Sequence, residues 1–174
     1  MANPQIKKRE ENRGKSVKDY IPLLVILAFT FLAAMAKQAD YGTWNASWLM
    51  RDFMGFFLVV FSMFKFFDLD GFADGFQMYD LLAQRSRTYA LSYPAIELGL
   101  GLGFLTGIMT PFFYSLTIIV MIFGAVGVAR ALAKGLDTNC ACMGTALNVP
   151  LSTVALTEDL GMAGMAVFML VAAF

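Results

Sequence analysis

Residues 20–36, YIPLLVILAFTFLAAMA, run for seventeen positions without one charged side chain. As a helix at 1.5 Å per residue this stretch reaches about 25 Å, close to the hydrocarbon thickness of a bilayer. Pro22 falls in the first turn, where a missing N–H breaks no helical hydrogen bond. A basic stretch before the run and the small residues Ala33-Ala34-Met35-Ala36 at its end imitate a cleavable secretory signal. We read it instead as an uncleaved first membrane helix, with Lys37 snorkelling to the far surface.

The rest of the chain supports a bilayer as solvent, since 59% of residues are hydrophobic and only 15% are charged. A second span is expected over Trp48 to Phe67, with Arg51 and Asp52 near its entrance and Trp44 and Trp48 in an interface belt. Residues 68–90 are too polar to cross. Their apolar positions Phe72, Phe76, Tyr79 and Leu82 recur at helical spacing, which predicts a short helix lying on the membrane surface. A third span runs from Tyr89 to Gly107 and contains Pro94 and Glu97. Thr110 and Pro111 start a fourth that ends near Leu132, and residues 150–174 form the last. The expected fold is therefore all-α, a polytopic membrane helix bundle of five transmembrane helices with a short interfacial helix between spans two and three. Residues 1–19 form a basic cytoplasmic segment and residues 20–174 a single transmembrane domain.

Orientation comes from the placement of Lys and Arg. Six of the thirteen lie in residues 1–19. With the N-terminus in the cytoplasm, Lys65, Arg85, Arg87, Arg130 and Lys134 also fall inside, leaving Lys37 and Arg51 outside. The positive-inside rule then puts the C-terminus in the periplasm and the connection between spans four and five in the cytoplasm.

The chain has no histidine, which excludes His-ligated haem, His-based zinc sites and Ser-His-Asp catalysis. Glu97 lies about 12 Å into span three, where a carboxylate costs a few kcal/mol unless protonated or paired. It is a candidate functional group, or else one held by a structural hydrogen bond to a neighbouring helix or an unwound carbonyl near Pro94. Gly99, Gly103 and Gly107, four apart, form a small-residue face suited to helix packing. The dinucleotide-loop reading of Gly99, Gly101 and Gly103 fails, because no strand precedes them. Lys65 and Asp68 are spaced to pair on one helix face, while Asp70, Asp74 and Asp80 read as a solvated face and lack the loop of a calcium site. Glu158 and Asp159 are placed to pair with Arg130 or Lys134 as a polar rim.

TNCACMGT, residues 138–145, holds both cysteines, one residue apart. Cys140 and Cys142 have three options: a strained and easily reduced disulfide, a clamp for a soft ion such as Cu(I) with Met143 adding a thioether, or no chemistry at all. A cytoplasmic location argues against a permanent structural disulfide.

Three blocks carry a resemblance: KFFDLDGFADGFQMYDLLAQRSRTYA, then YPAIELGLGLGFL with Glu97, then ARALAKG and NCACMG followed by a helix containing TED. Over roughly residues 50–174 the chain resembles the MauE/DoxX-like family of bacterial membrane proteins, MauE being a methylamine-utilisation accessory protein. The resemblance implies a DoxX-like four-helix core, here with one helix more, in the inner membrane. It also implies redox-associated work in the maturation of disulfide-containing periplasmic proteins, beside a thioredoxin-like partner. On that basis Cys140 and Cys142 are the redox pair and Gly144 follows it; a thiol–disulfide function would add Glu97 as the group handling a proton. Met143 stands where the family pattern has an aromatic residue. No cofactor follows from the match.

The expected partners are the lipid bilayer and other membrane proteins or a thioredoxin-like protein, with no nucleic acid. A periplasmic oxidant should expose its thiols outside, whereas the charge count puts this pair inside, and a relay across about 30 Å needs a further carrier. Two other readings stand beside the redox one: a non-catalytic helical subunit of a larger membrane complex, and a soft-metal-binding membrane protein.

Overall fold

The computed structural model describes residues 20–134 and 151–172, without the side chains of 151–154. These residues form six helices: α1 (Ile21–Asp40), α2 (Ala46–Phe67), α3 (Leu69–Phe76), α4 (Arg87–Thr106), α5 (Thr110–Ala133) and α6 (Leu151–Ala172). No strand occurs among the described residues. Cys140, Cys142, Met143, Gly144 and the basic segment 1–19 lie outside them.

Local chemistry sets the helix boundaries. The Asn45 side chain accepts from the Ser47 and Trp48 N–H groups and starts α2. Asp68 accepts from Gly71 N at 3.0 Å and starts α3, and Ser86 accepts from Tyr89 N at 3.2 Å and starts α4. Gly107, at φ 68°, closes α4 in the left-handed conformation that a glycine adopts without strain. Met109 is also left-handed, at φ 50°, and with Pro111 behind it the chain reverses into α5.

Among the described residues, three helices are long and apolar enough to cross a membrane: Ile21–Asp40, Thr110–Ala133 and the Ala155–Ala172 part of α6. The helices α2 and α4 sit where the second and third spans were expected and run for 22 and 20 residues. Both are interrupted by charge, from Arg51, Asp52 and Lys65 in α2 and from Arg87 and Glu97 in α4. By length and apolarity alone, three of the five expected spans stand out among the described residues. The outward surface matches an apolar solvent, with Phe29 69%, Ile119 60% and Val171 72% exposed.

The chain crosses back and forth between two ends of the bundle. Helices α2 and α4 run antiparallel, since Gly55 meets Gly101 while Lys65, ten residues on, meets Glu97. Helix α1 packs on α2, and α5 packs on α6. At the crossing of α2 and α4, a Cβ built on Gly101 would lie 3.0 Å from the Gly55 carbonyl oxygen and the Val59 nitrogen. At one end, α3 and the turns after it lie across α2 and α4. Phe76 stacks against Phe72 and Tyr93 with centroids 5.1 and 4.5 Å apart, sealing the core from that side. In the surface segment Phe72, Phe76 and Tyr79 are buried, while Leu82 is exposed. Helix α3 ends at Phe76, and turns carry the chain to Arg87.

Candidate functional site

Beneath α3, four ionisable side chains from three helices converge. Lys65 comes from the last turn of α2, which carries its ammonium under the aromatic cover instead of out to water. Its Nζ donates to both oxygens of Glu97 at 2.6 Å and lies 3.8 Å from Oε1 of Glu158. The rings of Phe72 and Tyr93 stand 5.5 and 5.4 Å from the same ammonium, adding cation–π attraction. Lys65, Glu97, Glu158 and Asp159 are all buried. Moving such charges out of water costs several kcal/mol per ion. Two short charge-assisted bonds and two ring faces offset that cost for Lys65 and Glu97.

Asp159 follows Glu158 on α6 and is also nine-tenths buried. Room for it comes from Gly124 of α5, where a Cβ would sit 2.7 Å from Oδ2 of Asp159. Both carboxylates, with Lys65, Tyr79 and Tyr93, line a cavity of about 20 Å³. A second, apolar cavity of about 180 Å³ lies between α1, α2 and α6, with Glu158 in its wall. Among the described residues no group of three His, Cys, Asp or Glu side chains is arranged to hold a metal ion.

These contacts correct two expected pairings and one expected exposure. Lys65 turns from Asp68 to Glu97, because Asp68 is occupied in capping α3. Glu158 and Asp159 point into the bundle, and Glu158 pairs with Lys65 in place of Arg130 or Lys134. Lys37 does not snorkel outward. Its Nζ binds Asp52 at 3.2 Å and the Leu105 carbonyl at 2.9 Å, tying α1, α2 and α4 together at the opposite end of the bundle. There Arg51 also donates to the fully buried Asp52, at 2.9 Å.

The glycine face divides. A Cβ on Gly103 would run into the Phe113 ring of α5, Gly107 terminates α4 beside Arg51, and Gly99 meets nothing within 4 Å. The close backbone approach to α2 is made by Gly101. Asp70 and Asp74 are exposed, as their polarity suggested, and both pair with Arg87. Asp80 is buried, and its Oδ1 accepts from the N–H groups of Leu82 at 2.9 Å and Ala83 at 2.8 Å. Burial pushes its carboxyl above the ordinary value, and those two hydrogen bonds pull the other way.

Sequence reasoning missed Lys65, Tyr93 and Gly124 as parts of one centre with Glu97. One signal was available: a lysine inside the Phe-rich run FSMFKFF, which needs a buried partner as much as an intramembrane glutamate does.

No curated protein and no solved structure matches the chain. A family model described as "Methylamine utilisation protein MauE" matches residues 43–173, from just before α2 to the end of α6. The match covers α2, α4 and α6 and with them every residue of the buried centre, and by it the chain belongs to the MauE family of membrane proteins.

Proposed function

We propose that this MauE-family protein is an inner-membrane, redox-associated accessory protein whose Cys140 and Cys142 carry out thiol–disulfide exchange in support of periplasmic protein maturation. It spans the membrane five times, with α2 and α4 crossing as a charge-paired couple, the N-terminus cytoplasmic and the C-terminus periplasmic. In the exchange, one thiolate of a thioredoxin-like partner attacks the Cys140–Cys142 disulfide, and the partner's second thiol resolves the mixed disulfide. The partner leaves oxidised and this chain leaves as a dithiol, so electrons and protons balance between the two. A disulfide across a single intervening residue is strained, which favours that direction. On the proposed orientation the exchange takes place at the cytoplasmic face, and a further carrier serves the periplasm.

The observation that supports this reading is positional. The end of α5 and the start of α6, the described helix ends that flank Cys140 and Cys142 in sequence, lie toward the bundle end covered by α3. Trapping thiols in growing cells with an alkylating probe tests it. The expected result is a Cys140–Cys142 pair that shifts between oxidised and reduced forms with growth conditions and with loss of the partner. A pair fixed in one form throughout contradicts the reading.

A second reading, a non-catalytic subunit of a larger membrane complex, is supported by the open glycines Gly99 on α4 and Gly161 and Gly164 on α6. Each leaves backbone accessible to a helix from another chain. Purification in a mild detergent tests it: a stoichiometric membrane partner is expected, and a lone monomer contradicts it.

A further inference from the structure

The apolar cavity of about 180 Å³ is walled by three helices that do not close around it. Leu23 and Leu27 of α1 stand on one side and Gly161 and Met165 of α6 on the other, over a floor of Phe53 and Phe57 from α2. On each helix the two residues are four apart, so each wall is a single face and the cavity runs along the bundle. Stacking fixes the floor, with the Phe57 centroid 4.2 Å from that of Phe61 and 6.1 Å from that of Phe53. Helix α1 packs on α2 and α6 packs on α5, but among the described residues no Cα of α1 comes within 8 Å of one in α6. The space between them is a cleft.

Its open side faces the bilayer. Gly161 lines the cleft and is nonetheless exposed, and Leu24 and Leu160, next to its walls in sequence, are 52% and 55% exposed. Both α1 and α6 are apolar enough to cross a membrane, so the medium outside the cleft is hydrocarbon. Size then selects the occupant. A helix with its side chains is about 10–12 Å across and does not enter a space of 180 Å³. An apolar cavity of roughly 150 Å³ takes one benzene-sized hydrocarbon and stays free of water, so this one matches about six or seven carbons of an acyl chain. Helix α1 ends at Asp40 and the family match begins at residue 43, so α1 is the wall that lies outside that match.

We propose that the cleft between α1 and α6 is a lipid site, holding one acyl chain of a phospholipid from the surrounding membrane. The chain lies on Phe53 and Phe57 and joins α1 to α6 where the two helices do not touch. Under the subunit reading Gly161 would face a helix of another chain instead. The site stands apart from the thiol chemistry, because its readout involves neither cysteine.

Photolabelling of the full-length protein in phosphatidylcholine nanodiscs tests it, the probe being phosphatidylcholine with a diazirine in mid-chain. Adducts on Leu23, Leu27, Gly161 and Met165 should saturate at one lipid per protein as the probe fraction rises. Adducts on the lipid-facing Ile119 of α5 should keep rising in proportion. An added Cβ at Gly161 meets nothing within 4 Å, so Gly161→Phe places a ring in the cleft, and Leu27→Trp fills it from the opposite wall. Each should lower adducts on the facing wall at least several-fold and leave those on Ile119 unchanged. The saturation curve needs no substitution, so it decides the matter even where a variant misfolds. Cleft adducts that rise in step with those on Ile119 mean bulk lipid only and overturn the proposal, as do adducts that neither filling variant lowers. The same labelling in native membrane vesicles should give the same cleft adducts, and their loss there would assign the cleft to a partner chain and overturn the lipid site. Protein carrying Cys140→Ser and Cys142→Ser should label as wild type does, which separates failure of this site from failure of the thiol reading.

Discussion

Lys65 shows how burial decides between partners that spacing alone leaves equal. Asp68 is nearer in sequence, but its side chain caps the start of α3, and Lys65 instead donates to both oxygens of Glu97. Asp80 offers a residue-scale test of the same physics outside the spans. Its carboxyl is pushed up by burial, so the folded protein holds that proton to higher pH than the unfolded chain does. The associated stability is complete below the ordinary aspartate value and is lost as pH rises through the raised one. Asp80→Asn keeps an oxygen for the Leu82 and Ala83 N–H groups and removes the titration. Thermal unfolding followed from about pH 4 to about pH 8 should fall less steeply in the variant than in wild type. Parallel curves would assign the slope to other groups. Glu97 was legible in the sequence as an intramembrane carboxylate, because one charged group in an apolar run is conspicuous. Its partner was not, since a lysine near a helix end reads equally well as a group reaching for the headgroups.

At the scale of the helix, two glycines two positions apart on α4 should behave oppositely. Gly101 sits against the backbone of α2, which has no flexible end to yield, so Gly101→Ala should destabilise by about 1–3 kcal/mol. Gly99 faces open space, and Gly99→Ala should be neutral or gain up to about 1 kcal/mol from helix propensity. Unfolding of both variants in the same lipid checks the pair, and equal losses would contradict the observed crossing. The four-residue glycine spacing was visible in the sequence, but which face meets α2 depends on how α4 is rotated, and nothing local fixes that rotation. Boundaries were far more legible. Thr110 with Pro111 marked α5 to within a residue, and the Phe-rich run ended at Phe67 as read, because caps and breakers act over single residues. The segment after α3 was read as more helical than it is, since Phe72, Phe76 and Tyr79 keep helical spacing although the helix stops at Phe76.

At the scale of the molecule, charge governs both assembly and orientation. The Lys37, Arg51 and Asp52 cluster ties one end of the bundle and the Lys65 centre ties the other, each inside an apolar exterior. The proposed orientation predicts that a C-terminal reporter active only in the periplasm is active in cells and that one active only in the cytoplasm is silent. The reverse pattern would contradict it. Hydropathy alone supported α1 and α5, whose charges lie in their last turns, and α6, where the apolar residues after Asp159 outweigh its two carboxylates. The charges of α2 and α4 are matched across the bundle, and that compensation is invisible until the fold brings Lys65 to Glu97. The direct test of this account is a double-mutant cycle on that pair, with Lys65→Met, Glu97→Gln and the combined variant unfolded in identical nanodiscs. Each single change should cost about 3–5 kcal/mol by leaving a buried group without its counter-charge. The combined variant should lose less than the sum, with a coupling of about 1–3 kcal/mol. Losses that add to within about 0.5 kcal/mol would mean that the two side chains do not meet inside the bundle.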